Sequence, residues 1–206
     1  MGAINSFMKK FLIVLLLLAT IPMSVSAQTV PFYGNILPRL SDSGWTVSGA
    51  ASVAKNGLTA TIEETATKSG TIYTDISVKN TAKSYALLIA YTKAEDVRDN
   101  GDITGLPYIY GYFMDKNGKI LSYLQKENMR YSGTTDGVWD VSNGVFEMPA
   151  GTVKIRYFLK QGSRKGTVKD GRDATFAKPG VYLFDRGVQA LDTITEYKNH
   201  LPNIWE

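Results

Sequence analysis

The sequence predicts an all-β sandwich with one short C-terminal helix. Between residues 28 and 190, short apolar runs alternate with polar residues at every second position, which is the period of a strand with one buried face. Gly, Asn and Asp separate these runs, as is typical of turns. After residue 190 the apolar residues recur at a spacing of three and four, which is the period of a helix. Many short strands without intervening helices favour two packed sheets.

The alternating runs predict nine strands, and the clearest turn is Asn117-Gly118, a pair that favours a tight hairpin. The predicted strands are Gly44–Val47, Leu58–Glu63, Thr71–Val78, Tyr85–Lys93, Tyr108–Met114, Lys119–Gln125, Val145–Met148, Thr152–Lys160 and Gly180–Asp185. The run 152–160 also assigns its two faces, because side chains alternate along a strand. The face with Val153, Ile155, Tyr157 and Leu159 should be core, and the face with Lys154, Arg156 and Lys160 should be exposed or line a groove.

The C-terminal stretch predicts a helix at about 192–200, with Asp192 as its N-cap and Pro202 ending it. Its apolar stripe consists of Leu191, Ile194, Tyr197 and Leu201. A helix this short is marginal in isolation. The stripe is therefore expected to pack on the sandwich or, as the alternative, on another molecule.

Composition excludes several kinds of chemistry. The 206 residues include no cysteine and a single histidine, His200. Disulfides, Cys-ligated metal sites and thiol catalysis are therefore excluded. With one histidine, a His-based triad or a multi-His metal site is nearly impossible. Carboxylate chemistry, oxygen-ligated metals and binding without catalysis remain.

Residues 1–27 predict a signal peptide. Lys9 and Lys10 precede an apolar run at 11–21, and Val25-Ser26-Ala27 places small residues before Gln28. The alternative is an uncleaved N-terminal anchor. The predicted organisation is a signal peptide (1–27), a sandwich domain (28–190) and a helical tail (191–206), in a protein that is secreted or held at the cell envelope, with no transmembrane span after cleavage.

Cleavage would also bring the charge close to balance. The segment carries two of the 23 basic residues and none of the 19 acidic ones, which leaves a net charge of +2. Such a charge does not indicate a nucleic-acid partner.

Six motifs follow one another along the chain. They are Asn35-Ile36-Leu37-Pro38 followed by Ser43-Gly44-Trp45, the strand 69–78, the strand 84–94, the strand and hairpin 111–118, the turn 146–152 and the closing Leu183-Phe184-Asp185. In this order the motifs resemble carbohydrate-binding modules of the family 4/9 type, within the galactose-binding-like jelly rolls. The resemblance covers roughly residues 30–190, nearly all of the chain that follows the predicted signal peptide. The resemblance implies a jelly-roll β-sandwich and non-catalytic binding of a polysaccharide or glycan.

Three tyrosines are the leading candidates for sugar contact. Tyr108, Tyr110 and Tyr112 lie on one face of a predicted strand, about 7 Å apart. Tyrosine offers an apolar ring to the C–H face of a sugar and a hydroxyl to its polar groups. The alternative is that these rings fill the sandwich core. Gln125, Trp139 and Arg156 are the candidate flanking contacts, although Trp139 is equally suited to closing the end of the sandwich.

The resemblance also implies one structural calcium ion, with Asp185 as a candidate ligand. The family usually has a second acid at the next position, where this chain has Arg186. A calcium ion takes six to eight oxygen ligands, and the sequence does not identify the others.

The expected function is therefore non-catalytic carbohydrate binding at or outside the cell envelope. No acidic pair is marked by the sequence for glycoside hydrolysis, so a carboxylate-dependent hydrolase or lyase is an alternative without a candidate site. A second alternative is a structural or adhesion subunit that associates with itself or a partner through 191–206.

Overall fold

The structure is a computed structural model of the chain. The residues it describes are 34–64, 70–78, 82–94, 107–131, 137–161 and 172–202. The predicted signal peptide at 1–27 lies outside them, as do the last four residues of the predicted tail, 203–206.

The described residues form ten strands and one α-helix, with short 3-10 turns at Glu127–Met129 and Gly187–Gln189. The strands are β1 (Thr46–Ser48), β2 (Ala51–Val53), β3 (Thr59–Glu64), β4 (Thr71–Ser77), β5 (Tyr85–Ala94), β6 (Pro107–Met114), β7 (Ile120–Leu124), β8 (Asp140–Glu147), β9 (Lys154–Gln161) and β10 (Arg172–Phe184). The helix, α1, is Ala190–Asn199.

The strands make two antiparallel sheets of five. The first sheet has the order β1-β4-β9-β6-β7 and the second the order β2-β3-β10-β5-β8. Without β1 and β2, each sheet keeps four strands in the order of a jelly roll. The predicted all-β sandwich with a C-terminal helix is confirmed.

The core lies between the sheets and is built from alternate residues of each strand. Ile155, Tyr157 and Leu159 of β9 are fully buried there, as the alternation in 152–160 predicts. On β6 the inward residues are Ile109, Gly111 and Phe113. Gly111 is required at its position, because a Cβ atom there would clash with the carbonyl oxygen of Arg156 on the neighbouring strand.

Three strands differ from their prediction. β2 was not predicted, and β8 and β10 begin earlier than expected. In β8 the polar run Ser142-Asn143 resembles a loop in sequence, but the Ser142 hydroxyl lies 2.9 Å from that of Thr92 on β5, inside the protein. In β10, Lys178 has a φ of +44° and the register with β5 shifts between Ala177 and Gly180. This bulge interrupts the alternation on which the prediction depended.

The chain that precedes β1 is hydrogen-bonded to β10 just beyond this bulge. The Asn35 side chain donates to the carbonyl oxygen of Pro179 at 3.1 Å and accepts from the amide of Val181 at 3.0 Å. The amide of Ile36 donates to the carbonyl oxygen of Val181 at 2.9 Å. Asn35 therefore satisfies backbone groups that the bulge leaves outside the strand ladder.

Helix α1 covers the outer face of the second sheet. Tyr197 is fully buried, and its hydroxyl donates to the carbonyl oxygen of Lys178 at 3.0 Å. The hydroxyl of Tyr91 on β5 reaches back to the helix end, 3.0 Å from the carbonyl oxygen of Tyr197 and 2.6 Å from that of His200. Burial raises the pKa of both tyrosines well above the usual value, so both stay neutral donors.

The start of the helix differs from the prediction. Gln189, at the end of a 3-10 turn, is the N-cap, and Asp192 lies within the first helical turn. Leu191, assigned to the apolar stripe, is exposed. Packing on the parent sandwich is therefore observed for Tyr197, and association of 191–206 with another molecule stays a prediction. Among the described residues, no helix has the length and apolarity to cross a membrane.

Replacing Tyr197 with Phe tests how strongly α1 is attached. The variant removes the hydroxyl that satisfies the bulge carbonyl of Lys178, and we expect the free energy of unfolding to fall by about 1–2 kcal/mol. Urea unfolding followed by circular dichroism measures it. Tyr85→Phe, at a half-buried position of β5, is the matched control and should change the value by less than about 0.5 kcal/mol. Equal stabilities of Tyr197→Phe and the wild type would contradict this attachment.

Candidate functional site

The tyrosines of β6 point away from the core. Ile109, Gly111 and Phe113 occupy the inward positions, so Tyr108, Tyr110 and Tyr112 lie on the outer face of the first sheet, where each is half-buried. The alternative that these rings fill the core between the sheets is therefore wrong, because alternation allows only one of the two sets to face inward.

Register adds aromatic residues from three neighbouring strands to this outer face. Phe158 of β9 lies opposite both Tyr110 and Tyr73 of β4, and Tyr123 of β7 lies opposite Tyr112. Residues directly opposite in adjacent strands share a face. We call the resulting surface the aromatic face; it consists of Tyr73, Tyr108, Tyr110, Tyr112, Tyr123 and Phe158.

Phe158 is the floor of the aromatic face. It keeps only 8% of its surface exposed although it points outward, because neighbouring rings cover it. The ring of Tyr110 stacks on it at 4.4 Å between centroids and 14° between planes, and those of Tyr73 and Tyr112 each lie 5.3 Å away. Such contacts stabilise the rings against one another, so the face is held in shape without a ligand.

The hydroxyls and the remaining ring surfaces are the parts available to a partner. The hydroxyls of Tyr110 and Tyr112 are hydrogen-bonded to each other at 3.0 Å. Burial, and then this hydrogen bond, raise the pKa of Tyr110 well above the usual value, so Tyr110 is neutral at physiological pH. Tyr123 is the most open member, with 67% of its surface exposed, and its ring meets that of Tyr112 edge-on at 5.2 Å.

An ionic cluster borders the rings on one side. Arg156 of β9 donates through Nε and Nη2 to the two carboxylate oxygens of Asp75 on β4, at 2.6 and 2.9 Å, and its guanidinium lies 5.0 Å from the ring centroid of Tyr73. Lys154 Nζ is 3.1 Å from the same carboxylate. The hydrogen bond from Arg156 is the main reason that the pKa of Asp75 is below its usual value, and in return Asp75 raises the pKa of Arg156.

Two further cations lie over the rings at the other end of β6. Lys160 Nζ is 5.8 Å from the ring centroid of Tyr110. Arg130, which forms an isolated bridge with Tyr108 beyond the end of β7, places its guanidinium 5.2 Å from the ring of Tyr108. Both distances are within the range of cation–π attraction.

The remaining predicted sugar contacts are placed differently. Gln125 is exposed and follows the last residue of β7, the edge strand that carries Tyr123. Trp139 precedes β8 of the second sheet and is 7% exposed, with Lys93 Nζ 5.2 Å from its ring centroid. The structure therefore brings Arg156 together with the tyrosines and leaves Gln125 at the edge of their sheet. Trp139 lies next to a strand of the other sheet.

Asp185, the candidate calcium ligand, is paired with a cation. Its carboxylate lies 2.8 Å from Lys83 Nζ, and its side chain is largely exposed. Among the described residues, no group of three or more acidic or histidine side chains could hold a metal ion. The structure thus pairs Asp185 with a lysine, and the calcium ion remains a prediction based on the family resemblance.

Tyr73, Tyr123 and Phe158 were missed by the sequence analysis. Phe158 occupies the same set of alternate positions in the strand as Lys154, Arg156 and Lys160, so the pattern could have identified it as outward-facing. Tyr73 and Tyr123 could not be joined to the others in this way, because their proximity depends on the register between strands that are distant in sequence.

The arrangement suits a polar ligand that also has apolar surfaces. Rings that carry hydroxyls provide stacking surface and hydrogen bonds together. Arg and Lys donors beside them are placed to bind oxygen acceptors. Within the five strands of this sheet, Asp75 is the only acidic residue, and its lowered pKa makes it unsuited to act as a general acid.

Comparisons with known proteins agree with the fold. No family model matches the chain, and no curated protein matches it. Among solved structures, the enzymatically active domain of tailspike protein 4 from bacteriophage CBA120 is 13% identical, with a TM-score of 0.52 over 74% of this chain and 22% of that chain. At this identity the likeness concerns the fold alone, and this chain spans less than a quarter of the tailspike chain.

Carbohydrate-binding modules are also among the similar structures. TmCBM61 in complex with beta-1,4-galactotriose is 16% identical, with a TM-score of 0.43 over 74% of this chain and 99% of that chain. The CBM22-1 xylan-binding domain from Paenibacillus barcinonensis Xyn10C is 15% identical, with a TM-score of 0.39 over 69% of this chain and 87% of that chain. None of these matches assigns the chain to the family 4/9 type.

The ion pairs of Asp75 predict a specific dependence on pH. The pKa of this carboxyl is lower in the folded chain than in the unfolded chain, where it has the ordinary value of 3.8. Its ion pairs therefore stabilise the fold fully when the pH is above 3.8, and this contribution is lost as the pH falls through the pKa of the folded chain. We therefore expect Asp75→Asn to lose less stability than the wild type between about pH 5 and about pH 2, by about 1 kcal/mol at most.

Thermal unfolding over this pH range makes the measurement. Glu127→Gln removes an exposed carboxyl elsewhere and controls for the change in net charge. Parallel stability curves for the wild type and Asp75→Asn would show that the pairs contribute nothing in solution.

Proposed function

We propose that the protein is an exported, non-catalytic carbohydrate-binding protein that acts at or outside the cell envelope and holds its ligand on the aromatic face. The observation that carries the proposal is the outward display of six aromatic rings on four adjacent strands, with hydroxyls and cationic donors beside them. The resemblance of six motifs to carbohydrate-binding modules of the family 4/9 type supports the same function, and the pattern at 1–27 supports export.

The composition of the face favours sugar over a purely apolar partner. A protein interface in this position would be expected to bury rings together with aliphatic side chains, whereas every ring here except Phe158 carries a hydroxyl. Stacking removes apolar area from water, while the tyrosine hydroxyls replace the hydrogen bonds that sugar hydroxyls lose. Desolvation offsets much of this gain, so we expect dissociation constants in the micromolar to millimolar range.

A binding role without catalysis follows from the same face. Glycoside hydrolysis requires two carboxyl groups about 5–9.5 Å apart, one of them with a raised pKa. On the strands of the first sheet Asp75 is the only carboxyl among the described residues, and two cations hold it ionised. Ligand binding there is expected to leave the glycosidic bonds intact.

A glycan-array screen of residues 28–206 tests the proposal. Tyr123→Ala removes the most open ring, and Tyr73→Ala removes one next to Arg156. Each variant is expected to weaken binding of the retained glycan about 5- to 10-fold, equivalent to about 1–1.4 kcal/mol. Tyr123→Phe should bind more tightly than Tyr123→Ala, because it keeps the ring.

The control is Leu191→Ala, which removes a large exposed apolar side chain from α1, on the other sheet. Its binding should equal that of the wild type, and circular dichroism should show that every variant is folded. If folded Tyr73→Ala and Tyr123→Ala bind as tightly as the wild type, the binding site is not on the aromatic face. The absence of any glycan ligand for the folded wild type would contradict the proposed function itself.

A further inference from the structure

The charges of the first sheet are strongly unequal. Its five strands contain three basic residues, Lys154, Arg156 and Lys160, and one acidic residue, Asp75. All three basic side chains lie on the outer face with the rings, because they alternate with the buried residues of β9. The segment that crosses the middle of the aromatic face is therefore also its most cationic strand.

The single carboxylate does not neutralise these cations. Asp75 accepts from Lys154 and from two of the five N–H groups of the Arg156 guanidinium. Lys160 is four residues further along β9 than Arg156, where it lies opposite Tyr108 and over the ring of Tyr110. Arg130 adds a fourth cation beside Tyr108.

Covering this surface with a neutral polymer would be unfavourable for the cations. The Lys160 ammonium would lose water without gaining a counter-charge, and Lys154 and Arg156 would lose water while still sharing the single carboxylate of Asp75. Such desolvation costs free energy unless the charge is paired. A carboxylate or sulfate on the ligand would supply the missing partner, and hydrogen bonds between charged groups are the stronger ones. The ring surfaces between the cations would still require a sugar.

We infer that the ligand is an anionic polysaccharide, with uronate carboxylates or sulfate groups that contact Lys160 and Arg156 while its sugar rings pack on the aromatic face. This inference rests on the proposed function and narrows it to one class of glycan. It assigns Lys160 and Arg156 as residues that determine specificity for charge, and the tyrosines as residues that recognise the sugar ring.

The test uses acidic polysaccharides and the same polymers after carboxyl reduction or desulfation, so that each pair differs in charge and shares its backbone. Polygalacturonate, glucuronoxylan, alginate and dextran sulfate are immobilised as pairs beside neutral glucans, galactans and xylans. Poly-L-glutamate serves as a polyanion without sugar. Binding is measured at low and at high salt, because screening weakens exposed ionic contacts.

We expect at least one acidic polymer to be bound about 10-fold more tightly than its reduced or desulfated form, with the difference shrinking at high salt. Lys160→Gln should weaken binding of the acidic form about 3-fold or more and that of the neutral form less than about 2-fold. Lys55→Gln, which removes an exposed lysine from the turn between β2 and β3 of the other sheet, is the matched control and should change neither.

The outcomes separate the inference from the proposed function. Binding confined to neutral glycans, or equal affinity for the two members of each pair, would overturn the anionic ligand and leave carbohydrate binding intact. Equal binding of poly-L-glutamate would also overturn it, since the cations alone would then be sufficient. If the folded protein binds no polymer, both the anionic ligand and the proposed carbohydrate binding are contradicted.

Discussion

The strict alternation of side chains in β6 and β9 determines both the core and the candidate site. Along both strands, residues that fill the space between the sheets alternate with residues that point outward. Ile109, Phe113, Ile155 and Leu159 are fully buried. The same backbone therefore cannot present a different set of residues on the outer face without emptying the core.

The two outer surfaces of the sandwich use tyrosine in opposite ways. Over the second sheet, Tyr91 of β5 and Tyr197 of α1 are fully buried where the helix packs on the sheet, and their hydroxyls satisfy backbone carbonyls. On the first sheet, the tyrosines contact one another and Phe158 but remain half-buried or exposed. The helix thus closes one surface, and the described chain leaves the aromatic rings of the other surface accessible.

Much of the fold follows from local patterns in the sequence. Alternation predicted the two faces of β9, and three-to-four spacing predicted α1 to within two residues of its observed start. Where a strand is polar, as at Ser142-Asn143, or bulged, as at Lys178, the local pattern is lost and tertiary contacts determine the strand. Asp192 was wrongly predicted as the N-cap because a 3-10 turn leads into the helix.

The candidate site was less predictable, for a different reason. Tyr108, Tyr110 and Tyr112 are close in sequence, so their common face could be predicted, but the sequence left open whether that face is core or surface. Tyr73 and Tyr123 join them through pairings between separate strands. Local periodicity does not specify such pairings. The ion pair between Asp75 and Arg156, 81 positions apart in sequence, depends on register in the same way.

The central claim is that ligand binds to the outer face of the first sheet. Its most direct test is a backbone amide NMR titration of the labelled protein with a glycan retained on the array. The largest chemical-shift changes are expected at Tyr73, Tyr110, Tyr112, Tyr123 and Arg156, with little change in α1. Changes confined to α1 and the second sheet, with the first sheet unaffected, would contradict the claim.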